Sequence, residues 1–189
     1  MYPLQPLANF VNWVEVPKCF SDNECGKIIS IFHEDKIEKG QTRGSHQDDK
    51  VRKNTIIWAS NDQKYEWIYQ RIAAIVTHNN NIFWKLDLSG IETLQFTRYT
   101  DVDDHYTTHT DSHPSITPRK LTMSIQLSTA ESYTGGEMEV YASGSEFCKM
   151  KKDRGEGILF PSFLPHRVMP LKSGERFSLV AWILGPQLR

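Results

Sequence analysis

The sequence predicts a mainly β, α+β protein in which two N-terminal helices pack on one face of a β-sandwich or jelly roll. Apolar residues first recur at helical spacing and then, after about residue 90, alternate with polar residues as in strands. The chain has 189 residues, a length that suits one compact domain. We therefore expect a single domain over residues 1–189, with a helical support over about 1–90 and a β core over about 91–189.

The first helix is predicted to begin at a capping box. Ser21 and Glu24 are three residues apart, so that the hydroxyl and the carboxylate can each accept a hydrogen bond from a free backbone N–H at the helix start. Apolar residues then recur on one helical face, at Cys25, Ile28, Ile29 and Phe32.

A second helix is predicted to begin at Asn61 or Asp62. Its apolar face consists of Tyr65, Ile68, Ile72, Ile75 and Val76. The asparagines at 79–81 suit a left-handed helix end. The polar stretch over 36–54, between the two helices, is predicted to be a loop or an edge ribbon.

Strands dominate the second half of the sequence. Polar and apolar residues alternate over 94–99, 121–128 and 176–183, so that one face of each strand is apolar. Glycine-containing turns at 134–136 and 155–157 separate such segments. About eight short strands after two helices favour a sandwich or jelly roll over alternating βαβ units.

The charge balance limits the classes of partner. The chain carries 22 Lys and Arg against 23 Asp and Glu, a formal net charge of −1, so no general attraction to nucleic acid or to an acidic membrane surface is expected. The basic run of Lys149, Lys151, Lys152 and Arg154 is interpreted as a solvated loop, with a nucleic-acid or acidic-peptide contact as the alternative.

The cysteines and the N-terminal residues indicate a compartment. Cys19, Cys25 and Cys148 cannot all pair and match no zinc motif, which favours a reducing environment. The first residues have neither a basic segment nor a long apolar run, so we expect no signal peptide and no membrane anchor. Together these features predict a cytoplasmic protein.

The candidate metal site centres on His109 and Asp111. Residues i and i+2 of a strand point to the same side, so this imidazole and this carboxylate can share one ion. A later histidine, His166, would complete a facial triad of two histidines and one carboxylate. That ligand set is diagnostic of non-haem Fe(II) oxygenases.

Two other His-x-Asp triplets occur, and their surroundings argue against them. His33 and Asp35 lie at the end of the first predicted helix, where residues two apart diverge by about 200° and cannot chelate one ion. His46 and Asp48 lie in the polar stretch, with no strand pattern on either side. Only the triplet at 109–111 has strand-like flanks.

Arg176 is a candidate anion-binding residue. It begins an otherwise apolar strand, where an unpaired charge would be unfavourable, and Ser178 lies on the same face. A guanidinium beside a hydroxyl would bind a carboxylate through charge-assisted hydrogen bonds. A structural salt bridge to Glu175 or Glu137 is the competing interpretation.

Five segments together resemble the prolyl 4-hydroxylase-like oxygenases, which depend on Fe(II) and 2-oxoglutarate. The segments are QFTRY at 95–99, YTTHTD at 106–111, YTGGEM at 133–138, LFPSFLPHRV at 159–168 and GERFS at 174–178. The resemblance spans about residues 93–184 with the order and the spacing kept, which makes it far more specific than one His-x-Asp triplet.

The resemblance implies a double-stranded β-helix, a jelly roll of the cupin type, with N-terminal support helices. It also implies that His109, Asp111 and His166 bind Fe(II) and are the catalytic residues. Which residues bind the substrate is not implied.

The resemblance further implies a site for 2-oxoglutarate. Arg176 would bind the distal carboxylate with the help of Ser178, and Tyr99 matches a tyrosine that contacts this cosubstrate in relatives. Gln126 stands where some relatives have an aromatic residue, and its role is left open. Collagen-type members carry lysine in place of Arg176, which moves the interpretation towards the bacterial, viral and oxygen-sensing branches.

The implied activity is hydroxylation of a peptidyl side chain, with proline as the first candidate, or of a free amino acid. Such a reaction consumes O2, decarboxylates 2-oxoglutarate to succinate and CO2, and can use L-ascorbate as a reductant. A cupin-like metal- and ligand-binding sensor without oxygenase activity is one alternative, and the pair of Arg176 and Ser178 argues against it. A nucleic-acid demethylase on the same fold is another, and the charge balance argues against it.

Several polar residues near these motifs receive structural interpretations. His105 and His113 are predicted to be exposed loop residues, with support of a metal ligand as the alternative. Asp101, Asp103 and Asp104 are predicted to form a solvated turn, because they lack the spacing of a calcium loop.

Arg52 and Trp58 are candidates for the wall of a substrate groove. The competing interpretation makes Trp58 a core residue and Arg52 an exposed charge.

Overall fold

The computed structural model describes residues 11–31, 38–40, 48–60, 62–112 and 118–186. Over these ranges the chain forms two α-helices, α1 (Asp22–Ser30) and α2 (Glu66–Phe83). The strands are β1 (Val14–Val16), β2 (Glu38–Lys39), β3 (Arg52–Lys53), β4 (Thr55–Ala59), β5 (Gly90–Ile91), β6 (Leu94–Tyr99), β7 (His105–His109), β8 (Arg119–Gln126), β9 (Tyr133–Gly135), β10 (Met138–Ser143), β11 (Glu146–Lys149), β12 (Gly157–Pro161), β13 (His166–Val168), β14 (Leu171–Gly174) and β15 (Arg176–Leu184).

Helix α1 begins as predicted. The backbone N–H of Glu24 donates to the hydroxyl of Ser21, and the backbone N–H of Ser21 donates to the Glu24 carboxylate at 2.8 Å. Cys25 and Ile28 of the predicted apolar face are buried. Phe32, the last predicted member of that face, lies outside the described residues.

Helix α2 begins and ends later than the sequence predicts. Residues 62–65 form a turn in which the N–H of Tyr65 donates to the carbonyl of Asp62, and the helix starts at Glu66. Asn61, the other predicted start, is not among the described residues. The left-handed residue beyond the helix is Lys85, with φ of 53°, and not one of the asparagines. Asn80 instead holds the backbone N–H and carbonyl of Leu86 with its side-chain amide.

The strands form two facing layers and one short ribbon. The larger layer, here called the main sheet, has the order β1-β12-β8-β15-β6-β4-β2, with β5 paired to β15. The small sheet has the order β11-β10-β13-β7-β3, and β14 pairs with β9. Strand β15 lies at the centre of the main sheet, where Ser178 is paired with Thr97 of β6 and with Gln126 of β8.

The predicted alternation along the three long strands is confirmed. Their apolar side chains enter one core cluster together with α1 and α2, including Leu94, Phe96, Leu121, Met123, Ile125, Phe177, Leu179, Ala181 and Ile183. The helices contribute Cys25, Ile28, Ile68, Ile72 and Val76 to the same cluster. Because side chains alternate between the faces of a strand, the opposite, more polar face is turned towards the small sheet. The predicted mainly β jelly roll with helices on one face is confirmed.

The residues before 60 add strands that the sequence did not predict. Strand β1 pairs with β12, and β4 pairs with β6. Strands β2 and β3 lie at the edges of the main and small sheets, in the stretch predicted as a loop or an edge ribbon. The division of the chain into a helical support and a β core stays a prediction. No helix in the described ranges combines the length and the apolar character that crossing a bilayer needs.

Candidate metal centre

The fold brings His109, Asp111 and His166 together. One ligand atom from each lies within 4.8 Å of the others. His109 ends β7 and His166 begins β13, and these residues are direct partners in the ladder between the two strands. Nε2 of His166 lies 3.3 Å from one oxygen of Asp111, and Nε2 of His109 lies 3.8 Å from the other.

Both imidazoles are held with Nε2 towards the carboxylate. Nδ1 of His109 lies 2.8 Å from the carbonyl of Thr107, and Nδ1 of His166 lies 3.0 Å from the carbonyl of Leu164. A carbonyl only accepts, so Nδ1 carries the proton and donates in each pair, which leaves Nε2 of the neutral ring with a lone pair for a metal. The same carbonyl contact fixes the ring orientation.

The electrostatics of the cluster favour one negative charge beside the imidazoles. Burial, together with the neighbouring His166, lowers the pKa of His109 to about 4. Burial acts to raise the pKa of Asp111, but attraction to His166 and hydrogen bonding outweigh it and hold the pKa well below its ordinary value. Burial opposes charge on His166, yet its pKa is raised because Asp111 lies beside it.

A stack of side chains backs His109. The ring of Tyr106 lies 3.5 Å from the imidazole, centroid to centroid, with 15° between the planes. The guanidinium carbon of Arg52 lies 4.7 Å from the centre of the Tyr106 ring. Arg52 is itself fixed by hydrogen bonds to Gln95 at 2.6 Å and to Asn54 at 3.0 Å.

The three residues face a cavity between the two sheets. The main sheet contributes Gln95, Thr97, Tyr99, Thr122, Ser124, Arg176, Ser178, Val180 and Trp182 to its lining. Arg52, Tyr106, Met138 and Val168 line the side of the small sheet. One cavity therefore contains the candidate ligands and every residue that the sequence predicted for cosubstrate binding.

Arg176 has no carboxylate partner among the described residues, and the competing salt-bridge interpretation is wrong. The predicted alternative partners are engaged elsewhere: Glu175 with Arg98, and Glu137 with Lys152. The Arg176 side chain is 3% exposed and its Nε has no hydrogen-bond partner. A buried cation in this state is costly unless a ligand supplies the missing negative charge.

The other predicted cosubstrate residues lie next to Arg176. Its Nη1 donates to the Ser178 hydroxyl at 3.4 Å, and its guanidinium carbon lies 5.3 Å from the centre of the Tyr99 ring. Gln126 is buried and donates to the carbonyl of Ser128, in a small adjoining cavity that Arg176 also lines.

The competing interpretation, which made Arg52 an exposed charge and Trp58 a core residue, is wrong for both residues. Arg52 is buried, at 6% exposure, and lines the cavity, whereas Trp58 is 43% exposed. The difference has a topological cause, because β3 pairs with β7 and turns Arg52 towards Tyr106. The ring of Trp58 packs at 6.0 Å from that of Trp182.

The remaining polar candidates are structural. Asp104 is buried rather than solvated, since its carboxylate accepts from the backbone N–H groups of Thr100 and Asp101 and pairs with Lys53. His105 is half-buried on β7, and its ring contacts the carbonyls of Asp103 and Lys50. It lies on a strand and not in the predicted loop.

Some residues named in the sequence analysis lie outside the described ranges, whereas the basic run lies within them. His113 lies outside the described residues, as do His33, Asp35 and His46 of the two rejected triplets. In the basic run, Lys151 forms an ion pair with Glu15, and Lys152 forms one with Glu137.

Sequence reasoning did not find Tyr106, Thr122 or Trp182 as parts of the site. The period-two pattern did place Thr122 and Trp182 on the polar faces of their strands, a signal that becomes informative once the cavity is located. The period-two pattern does not mark Tyr106, because it stands three residues before His109 and the register between β7 and β13 shifts between these two residues.

The donor set fits a non-haem iron centre. Two imidazoles and one carboxylate beside an open cavity form the facial triad that suits Fe(II). The buried guanidinium in the same cavity suits a cosubstrate with a second acidic group.

The sequence is similar to those of bacterial PKHD-type hydroxylases. A PKHD-type hydroxylase of Alteromonas mediterranea is 33% identical over 95 residues, which cover 47% of this chain and 41% of that protein. A PKHD-type hydroxylase of Crocosphaera subtropica is 25% identical over 175 residues, covering 89% of this chain and 76% of that protein.

A solved structure shows the same fold. The prolyl hydroxylase of Trichoplax adhaerens, in complex with a peptide fragment of the hypoxia-inducible factor oxygen degradation domain, superposes with a TM-score of 0.80. The superposition covers 92% of this chain and 84% of that one at 16% identity. In sequence, residues 94–184 match the pattern of the 2OG-Fe(II) oxygenase superfamily. Over these residues the chain is similar to the members of that superfamily.

Proposed function

We propose that this chain is an Fe(II)- and 2-oxoglutarate-dependent dioxygenase. Its substrate would be a peptidyl side chain, with proline as the first candidate, or a free amino acid. One observation carries the proposal: a single cavity contains both the His–Asp–His cluster and a buried arginine with no carboxylate partner among the described residues. The cluster suits a divalent metal, and the arginine suits an acid. A 2-oxoglutarate oxygenase needs both.

The metal would be held by Nε2 of His109, Nε2 of His166 and the carboxylate of Asp111. When bound, Fe(II) together with 2-oxoglutarate and O2 supplies the chemistry that inserts one oxygen atom into a substrate C–H bond and releases succinate and CO2. The protein's part is to fix the three donors, to keep the cavity dry and to position both organic molecules.

The cosubstrate would be anchored by its distal carboxylate at Arg176. Ser178, 3.4 Å from the guanidinium, would donate a further hydrogen bond, and the Tyr99 hydroxyl would contact the same molecule. This support is electrostatic, because a carboxylate beside Arg176 relieves the penalty of its burial.

The substrate would enter at the opposite end of β15. Trp182 lies six positions after Arg176, which places them about 20 Å apart along a strand and leaves room for the metal between them. Trp182 lines the cavity, and its buried Nε1 has no hydrogen-bond partner. Arg119 lies over its ring at 3.9 Å, and the exposed Trp58 flanks it. Aromatic faces beside an N–H donor suit an apolar ring carried on a peptide backbone.

A peptide rather than a free amino acid is the preferred substrate. The Trichoplax prolyl hydroxylase, which shares the fold, holds a peptide fragment. Cytoplasmic location, use of L-ascorbate as a reductant and folding as a single domain are further parts of the proposal. The three free cysteines, two of which are buried, support the cytoplasmic location, since a reducing compartment keeps both thiols and iron reduced.

Turnover of 2-oxoglutarate tests the proposal. Protein purified without oxygen is loaded with Fe(II) and given 2-oxoglutarate, O2 and a library of proline-containing peptides, and succinate and the mass of each peptide are measured. We expect a peptide that gains 16 mass units with matching succinate, and none of either with His109→Ala. Succinate formed equally by His109→Ala would contradict the assignment.

A further inference from the structure

The Asp111 carboxylate uses its two oxygens differently. Oδ1 lies 3.8 Å from Nε2 of His109, and Oδ2 lies 3.3 Å from Nε2 of His166. Oδ2 also accepts a hydrogen bond of 2.8 Å from the hydroxyl of Thr122 on β8. One oxygen of this carboxylate is therefore tied to the main sheet, although the residue itself follows a strand of the small sheet.

Thr122 belongs to a directed pair of hydroxyl groups. Its Oγ1 lies 3.0 Å from Oγ of Ser162. A hydroxyl carries one proton, and an ionised carboxylate only accepts, so the proton of Thr122 points to Asp111. Ser162 must then supply the proton of the second hydrogen bond. The direction runs from Ser162 through Thr122 to Asp111.

The pair is deeply buried and tied to the backbone. Thr122 is 1% exposed and Ser162 is 0% exposed. The carbonyl of Ser162 accepts hydrogen bonds from the backbone N–H groups of Asp111 and Ser112, both at 2.9 Å. Ser162 thus fixes the backbone of Asp111 directly and its carboxylate through Thr122.

We propose that Thr122 and Ser162 are positioning residues that hold Oδ2 of Asp111 and so keep this carboxylate a ligand through one oxygen. The inference rests on the proposed function. A six-coordinate iron with three protein donors has three positions left. A chelating 2-oxoglutarate needs two of them and O2 needs the third. A carboxylate that bound through both oxygens would occupy one of these positions.

Two substitutions separate the hydroxyl of Thr122 from its shape. Thr122→Val keeps the branched shape and removes the donor, whereas Thr122→Ser keeps the donor. Thr55→Val is the matched control, because Thr55 is a half-buried threonine on a strand of the same sheet, outside the lining of this cavity, and its hydroxyl donates to the carbonyl of Arg98. Each variant is first compared with the wild type by thermal unfolding of the metal-free protein.

Co(II) replaces Fe(II) as the probe, and binding is measured without oxygen by calorimetry. The visible absorption of bound Co(II) reports its coordination number, and a second titration gives the affinity of the Co(II) form for 2-oxoglutarate. We expect Thr122→Val to weaken Co(II) binding about 10- to 100-fold, to change the absorption and to weaken 2-oxoglutarate binding. Thr122→Ser and Thr55→Val should resemble the wild type in all three readouts.

Wild-type Co(II) affinity, absorption and 2-oxoglutarate affinity in Thr122→Val would overturn the inference. If Thr122→Val does not fold, Ser162→Ala takes its place, with the same direction of change and a smaller size, and unchanged readouts there overturn it equally. A wild-type protein that binds neither Co(II) nor 2-oxoglutarate would instead overturn the proposed function, and this inference with it.

Discussion

The two walls of the cavity are built in different ways. The wall from the main sheet consists of the long strands β6, β8 and β15, whose other face packs against the helices. The wall from the small sheet consists of β3, β7 and β13, which are two, five and three residues long. None of the five residues of β7 is fully buried, and the register between β7 and β13 shifts.

This difference teaches how each kind of group is held. Arg176 needs little beyond its strand, since β15 pairs along both edges with long neighbours. The metal ligands come from the wall of the small sheet, here called the weak wall because its strands are short, and they are supported by side chains and carbonyls. The wall of the main sheet is called the strong wall. His109 has Tyr106 and the carbonyl of Thr107, and Asp111 has Thr122 of the opposite wall. Substitutions on the two walls should therefore have separable effects on metal and on cosubstrate.

The largest effect is expected on the weak wall, at Asp111 itself. Asp111→Asn removes the negative donor, so metal affinity should fall by more than about 100-fold, beyond the effect of losing a supporting contact. Binding of 2-oxoglutarate should fall with it, because chelation needs the metal. Calorimetry with Co(II) measures both. The control is Asp101→Asn, an exposed acid in the turn before β7, which should bind metal normally.

The next effect belongs to the strong wall. Arg176→Lys replaces a planar fork by a point charge, which should weaken 2-oxoglutarate binding by about 1.5–3 kcal/mol, the contribution typical of hydrogen bonds to a charged group. That corresponds to a loss of affinity of roughly 10- to 150-fold. Metal affinity should not change. A lysine variant with normal cosubstrate affinity would mean that Arg176 is structural and that the strong wall does not bind the cosubstrate through it.

A smaller effect is expected from the stack behind His109. Tyr106→Leu removes an aromatic pair of about 0.5–1.5 kcal/mol, so metal binding should weaken by up to roughly tenfold. Tyr106→Phe keeps the ring and should bind metal like the wild type. Equal affinities for the leucine and phenylalanine variants, with both folded, would show that the weak wall does not need this support.

The smallest effect on the centre is expected at the mouth of the cavity. Trp58→Ala should leave metal and 2-oxoglutarate affinity unchanged, because Trp58 touches neither group and is largely exposed. The KM for a peptide substrate should rise several-fold, since one face of the Trp58–Trp182 pair is lost. Steady-state kinetics at saturating 2-oxoglutarate measures the peptide KM separately from cosubstrate affinity. An unchanged peptide KM would mean that Trp58 does not contact the substrate.

The main sheet could be predicted from the sequence because its strands are long. Period-two alternation over 121–128 and 176–183 is visible only when several residues repeat it. Strands of two or three residues, such as β1 and β3, cannot show a period, and their pairing is decided by partners more than 50 residues away. The end of α2 was mispredicted because Asn80 uses its amide to hold Leu86, leaving the left-handed position to Lys85.

The residues of the site also differ in how far the sequence could predict them. His109 ends β7 and Asp111 follows it two residues later, so their closeness in the sequence already indicated that they lie side by side. Arg52 could not be predicted to be buried, because its environment comes from the ladder with β7 and from Gln95 of the main sheet. Thr122 is an ordinary polar residue of a strand until the fold places it against Asp111.

The central claim is that one cavity couples a His–Asp–His metal site to an arginine-anchored 2-oxoglutarate. Anaerobic calorimetry of 2-oxoglutarate binding, with and without bound Fe(II), tests it most directly. We expect one equivalent to bind tightly to the Fe(II) form, weakly to the metal-free protein and weakly to the Fe(II)-treated His166→Ala variant. Affinity that is the same with and without Fe(II), or unaffected by His166→Ala, would contradict the claim.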